Sequence, residues 1–214
     1  MATMINPNAQ RVIIEGVSWT TYECLLADFG DSHAARVAYD QGTLEIMAPS
    51  YAHEQLNVLI AMIISFIAAE MIMDFENAGS TTFKRADVGR GFEPDSCFYI
   101  QHVAAIRGKV TIDLDTDPPP DLVLEIDLTH PSLDKLPLYA AVGVPEVWRY
   151  TNDHLVMYRL TDNNYTVVET SGVLPDVARV DIQRWIEAGQ QMPRTIWMKQ
   201  VQGWAQDRWG RNKA

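Results

Sequence analysis

The sequence predicts an α/β (α+β) chain in a single domain, a mixed β-sheet with helices on both sides. Three stretches predict it. Residues 121–128, DLVLEIDL, alternate acid and aliphatic side chains and read as a largely buried strand, followed by a helix that ends at Gly143 and a strand at 146–150. Residues 53–73 form a long apolar helix. Two pairs of short strand-forming runs, 36–39 with 43–47 and 154–160 with 165–169, are each joined by hairpin-type turns.

The totals bound the answer. At 214 residues, 47% hydrophobic, 21% charged and 9% aromatic, the chain can bury a sizeable core in one globular domain. Its net charge of −11 argues against a protein that coats nucleic acid by bulk electrostatics. It leaves room for an enzyme whose divalent metals neutralise an acidic site locally. Cys24 and Cys97 have no metal-ligand or CxxC spacing. With no signal peptide in front, they read as reduced thiols of a cytoplasmic protein. Residues 56–73 are shorter than the roughly 20 apolar residues of a membrane span and contain Glu70, so a core helix and no membrane association are expected.

In chain order, residues 1–19 lack periodicity and are expected to be a loose N-terminal segment. A helix starts at Thr20-Thr21-Tyr22-Glu23, with Tyr22, Leu25, Leu26 and Phe29 on one face, and stops at Gly30. Asp40-Gln41-Gly42 turns the first hairpin, and Pro49-Ser50 leads into the long helix. Residues 81–85 form a strand, 89–91 a loop and 96–100 another strand. The proline-rich run 113–120 is an exposed loop between neighbouring strands of one sheet. The helix before Gly143 is capped by Ser132 or Asp134 and has Lys135 in its first turn. Asp181 caps a short amphipathic helix with Trp185 and Ile186. The core domain is bounded at 20–190, and 191–214 form a C-terminal tail with Trp197, Trp204 and Trp209.

The chemistry concentrates around 121–135. Glu125 and Asp127 lie two apart on a strand and so share a face, and two carboxylates in apolar surroundings need a cation to meet them. A metal ion is the simplest one. Lys135 in a first helical turn opposes the helix dipole, which points to a task other than helix stability. Asp95 follows Pro94 and precedes a strand, where an ordinary turn aspartate is the alternative. Glu54 suits the dipole of its helix, and His53 reads as a capping or surface residue, with a place lining the site as the alternative. Lys84, Arg85, Arg90, Arg107 and Lys109 form either a phosphate-facing rim or a solvated loop. The tail tryptophans either stack on bases or pack as a tail or dimer contact. No zinc spacing, P-loop or dinucleotide fingerprint is present.

Gly79-Ser80-Thr81-Thr82, Gly91-Phe92-Glu93-Pro94-Asp95, residues 121–127, Ser132-Leu133-Asp134-Lys135 and residues 143–150, GVPEVWRY, together resemble one family. It is the bacterial Uma-type restriction endonuclease family, within the PD-(D/E)xK nuclease superfamily, and the resemblance runs from about Thr20 to Trp185. It implies a restriction-endonuclease-like fold with the active site at one end of two adjacent strands. It implies Asp95 and Glu125 as metal-binding acids, with Asp127 as an additional ligand or a partner of Lys135. Lys135 would be the catalytic cation, moved to the helix from its usual place two residues after the glutamate, where this chain has Asp127. Glu54 resembles the extra acid of the first core helix. Mg²⁺ is the implied cofactor, with Mn²⁺ the alternative; DNA is the implied substrate and a homodimer the implied assembly. A catalytically inactive nuclease-fold module for nucleic-acid or protein binding is the rival reading.

Overall fold

The stretch of alternating acids and aliphatics becomes a strand buried on both faces. In a computed structural model, residues 10–30, 34–128 and 133–210 are described. Their elements run β1 (Gln10–Ile14), α1 (Trp19–Phe29), β2 (Arg36–Asp40), β3 (Thr43–Ala48), α2 (Tyr51–Glu70), β4 (Glu76–Gly79), β5 (Phe83–Arg85), β6 (Arg90–Phe92) and β7 (Ser96–Tyr99). After these come α3 (Val103–Ile106), β8 (Leu122–Asp127), α4 (Leu136–Val142), β9 (Glu146–Thr151), β10 (His154–Thr161), β11 (Asn164–Val168), α5 (Arg179–Gln191) and α6 (Arg194–Trp209).

The strands form two sheets, ordered β1-β3-β2-β6-β5 and β11-β10-β9-β8-β7-β4. The second is mixed. Its β8 and β9 run parallel across the α4 connection, while its other neighbours are antiparallel. Alternation along β8 sorts its side chains between two cores. Leu122, Leu124 and Ile126 pack with the Ile60, Ile63, Ile64 and Ile67 stripe of α2 and with Ile182, Ile186, Trp197 and Val201 of α5 and α6. Val123 packs with Leu138 and Tyr139 of α4. Each fully buried aliphatic stabilises the fold by about 1.5–3 kcal/mol, so α2 is the spine of the larger core. Among the described residues α2 is also the one helix long and apolar enough to cross a membrane; half of that window is buried within the protein.

Several expectations hold in outline and shift in detail. The first hairpin turns with Gln41 and Gly42 both at positive φ, and the strands flanking 113–120 are neighbours. The cap of α1 is Ser18, whose side chain accepts from the Thr21 amide, two residues ahead of the expected start. Ala178, not Asp181, caps α5; Asp181 lies in the first turn. Lys135 is itself the cap residue of α4, just outside the helix, and Asp134 accepts from the Leu136 amide, while Ser132 lies outside the described residues.

Two expectations are overturned, and the placement of the tail is resolved. Part of the segment 1–19, expected to be loose, is β1, which pairs along its whole length with β3. Of the expected 89–91 loop, Arg90 and Gly91 are instead strand, the start of β6, held between β2 and β5. Glycine is required at 91 by close approach, since a Cβ there would run into the Tyr22 ring. The tail beyond 191 packs on the domain, one of the readings left open for its tryptophans. It forms α6, which buries Trp197, Val201 and Ala205 in the main core.

Candidate active site

Because β7 and β8 are antiparallel, with Ser96 opposite Leu124, Asp95 falls beside the C-terminal end of β8. The β7 ladder has ended there, and the Asp95 carboxylate continues it: Oδ2 accepts from the Ile126 amide at 2.7 Å. The helix α2 approaches from the other side. His53 Nε2 lies 3.0 Å from the same Oδ2. Asn57, four residues on and so on the same helical face, donates to the Asp95 carbonyl at 3.0 Å and accepts from Ser96 Oγ at 2.8 Å. Asp95 is thus held from three sides, yet its Oδ1 is buried with no hydrogen-bond partner, as are both ring nitrogens of His53, whose 3.0 Å approach to Oδ2 is an ion-pair contact and not an aligned hydrogen bond.

Glu125 projects from the opposite face of β8, toward α4. Lys135 Nζ donates to its Oε2 at 2.8 Å, and Tyr139, one turn further along α4, donates to its Oε1. The electrostatics follow from burial. Desolvation, with the Asp95 charge added, pushes Glu125 up to about 7 against the pull of Lys135 and Tyr139. Asp95 is equally desolvated, but His53, Lys135 and the Ile126 amide outweigh burial and hold it below the usual carboxylate range. His53 is depressed by burial and raised by Asp95, Glu125 and Glu54, with a net rise. Lys135 also rises, since Glu125, Asp95 and Glu45 overcome its desolvation. Burial and Glu125 raise Tyr139.

Asp127 shares a face with Glu125, as its spacing requires, and both of its oxygens face arginine. Its Oδ2 takes the Arg149 Nε at 2.6 Å, and its Oδ1 lies 3.6 Å from Arg11, which in turn lies 3.8 Å from Glu45. The partners of Asp127 among the described residues are therefore arginines, and Lys135 pairs with Glu125 instead. A cavity of about 10 Å³ is lined by Glu125, Lys135, Asp127, Arg149, Arg11 and Glu45.

Glu54 stands apart from this arrangement. It faces Arg36 at 3.4 Å with its side chain 41% exposed, and its neighbour His53, read from sequence as a cap or surface group, is the one that α2 buries against Asp95. The basic residues expected near Asp95 are each paired with local acids: Lys84 with Glu23, Arg85 with Asp87, Arg90 with Asp40, Arg107 with Asp74 and Lys109 with Asp117. Trp197 is core, while Trp185, Trp204 and Trp209 pack ring against ring.

Sequence reasoning misses Asn57, Tyr139, Arg149, Arg11 and Glu45, and misjudges His53. Tyr139 has a legible signal, four residues beyond Lys135 on one face of α4. The arginines have none, because only the pairing of β8 with β9 and of β1 with β3 brings them in.

Two acids and a lysine are thus gathered where adjacent strands of a mixed sheet end. The Uma2 family model, described as "Putative restriction endonuclease", matches residues 19–194, and the chain belongs to that family. Its fold is similar to the crystal structure of a "putative nuclease belonging to DUF820" from Anabaena variabilis. That match has a TM-score of 0.55 and 14% sequence identity, and covers 79% of this chain and 99% of the other. No functionally curated protein matches.

Proposed function

We propose that the chain is a Mg²⁺-dependent endonuclease that hydrolyses phosphodiester bonds in DNA, with Asp95 and Glu125 as metal ligands and Lys135 as the catalytic cation. The observation that carries this reading is the orphaned Oδ1 of Asp95, an ionised oxygen buried without a donor. Leaving such an atom unpaired is costly, and a cation is what its chemistry asks for. Among the described residues no three His, Cys, Asp or Glu side chains form a metal cage. Mg²⁺ does not need one, since one or two carboxylates with water and substrate phosphate complete its shell. When bound, it would polarise the phosphate and acidify a water.

The rest is supplied by the chain itself. The Ile126 amide and His53 hold Asp95 Oδ2 so that Oδ1 keeps its direction. Tyr139 fixes one oxygen of Glu125. Lys135 spends one N–H on the other oxygen and keeps further donors for charge developing at phosphorus, the preorganised stabilisation that lowers a barrier most. Glu54 and Asp127, included in the site by resemblance, take no part in this mechanism.

The rival reading is an inactive nuclease-fold module, and the net charge of −11 favours it. Nicking of supercoiled plasmid with Mg²⁺ or Mn²⁺ separates the two. The proposal expects metal-dependent nicking that is lost in both Asp95→Ala and Lys135→Ala. Loss in Asp95→Ala alone would keep the metal site and remove the lysine. A wild type that nicks no DNA form with either metal would favour the module.

A further inference from the structure

We infer that Arg11 and Arg149 form a phosphate subsite beside Glu125 and Lys135, taking an oxygen of a phosphodiester next to the one that is cut. This rests on the nuclease reading above. Arg149 stands directly across from Glu125 in the parallel β8–β9 register, so its guanidinium is delivered to the site by the sheet itself. Arg11 arrives from β1, the edge strand of the other sheet, and reaches across to Asp127.

Three cations, Arg11, Arg149 and Lys135, thus converge on one cavity with side chains only 13%, 16% and 12% exposed. Drawing that many charges out of water is expensive, and apolar side chains would fill the same space at lower cost. The acids around them act as brackets. Asp127 takes Arg149 through Nε, only one of the donors in the guanidinium fork, and the fork geometry matches phosphate oxygens. Glu45 and Asp127 lie 3.8 and 3.6 Å from Arg11 and keep its guanidinium at the same cavity. The cavity volume of about 10 Å³ admits one water-sized atom, which suits a phosphate oxygen and excludes a base or sugar ring.

The test uses the whole chain and a fluorescent duplex in Ca²⁺, with anisotropy read across a salt series. Asp127→Asn/Arg149→Gln removes the bracket and the fork together and leaves net charge unchanged, so any change is local. Binding about tenfold weaker is expected, the loss of one charge-assisted hydrogen bond, with the log–log salt slope smaller by about one. A folded double variant that binds with wild-type affinity and slope overturns the subsite and makes the arginines structural. Should it not fold, Arg149→Lys carries the test, because it keeps the charge and loses the fork. Weaker binding supports the proposal, and unchanged binding overturns it. Failures are separable. A wild type that binds DNA through these arginines without nicking it sinks the nuclease reading and leaves the arginines as the phosphate site of a binding module. Nicking with arginine-independent binding sinks only the subsite. No DNA binding at all overturns both.

Discussion

The central mixed sheet carries buried carboxylates at both ends, and the two ends treat them differently. At the N-terminal ends of β8 and β9, Asp121 accepts from the amides of Ile100 and His102 and meets the His102 ring. Glu146 accepts from Trp148 Nε1, Ser171 Oγ and the Gly172 amide. Every carboxylate oxygen there has a partner. At the other end Asp95 keeps an oxygen with none, Glu125 is pushed up to about 7, and a lysine is held against it. Burial of an acid is therefore no mark of a site in this protein. A buried carboxylate oxygen left without a donor is, because a fold has no reason to leave a desolvated anion half satisfied unless something else completes it.

The comparison can be broken in order of effect. Asp95→Ala should reduce nicking at least about a thousandfold, on the scale of losing a transition-state electrostatic group, while folding normally by circular dichroism. Comparable activity in that variant would erase the distinction between the two ends. Glu146→Ala should do the reverse. Three buried donors lose their acceptor, costing about 3–5 kcal/mol and lowering Tm by about 10 °C, with residual activity tracking the folded fraction.

Glu125→Gln sharpens the contrast. The folded pKa of Glu125 lies above the ordinary value of 4.5, so the native state binds the extra proton between about 4.5 and 7. Stability associated with this group is thus present at low pH and lost as pH rises through 7. The neutral variant should then be more stable than wild type at pH 8 in EDTA, by about 1–3 kcal/mol, and no more stable at pH 5. Thermal scans at the two pH values check the sign, and a pH-independent difference would contradict it. Least of all, Glu54→Gln should change nicking less than about threefold and stability by less than about 1 kcal/mol, as befits an exposed ion pair.

Much of this arrangement is legible in the sequence. The acid alternation of 121–128, Asp95 ahead of a strand and Lys135 out of place against a helix dipole are local signals, and all three residues meet where the strands end. What escapes a sequence reading is a matter of phase and of distance along the chain. On α2 the buried positions run His53, Leu56, Asn57, Ile60, Ile64 and Ile67, a stripe whose spacing turns 53 inward and 54 outward. That stripe is readable, and Glu54 misleads because an acid looks more catalytic than a buried histidine. The Asp127–Arg149 pair and Arg11 depend on parallel register and on a strand formed only by pairing with β3, which no short window of sequence contains.

The most direct measurement is Mn²⁺ binding without DNA, followed by the loss of the free-ion paramagnetic resonance signal. Wild type, Asp95→Asn and Glu146→Gln would be compared at pH 8. The account predicts that Asp95→Asn loses binding and that Glu146→Gln, wherever it remains folded, binds as wild type does. Equal binding by wild type and Asp95→Asn would contradict it, since the unfilled oxygen would then be no metal ligand.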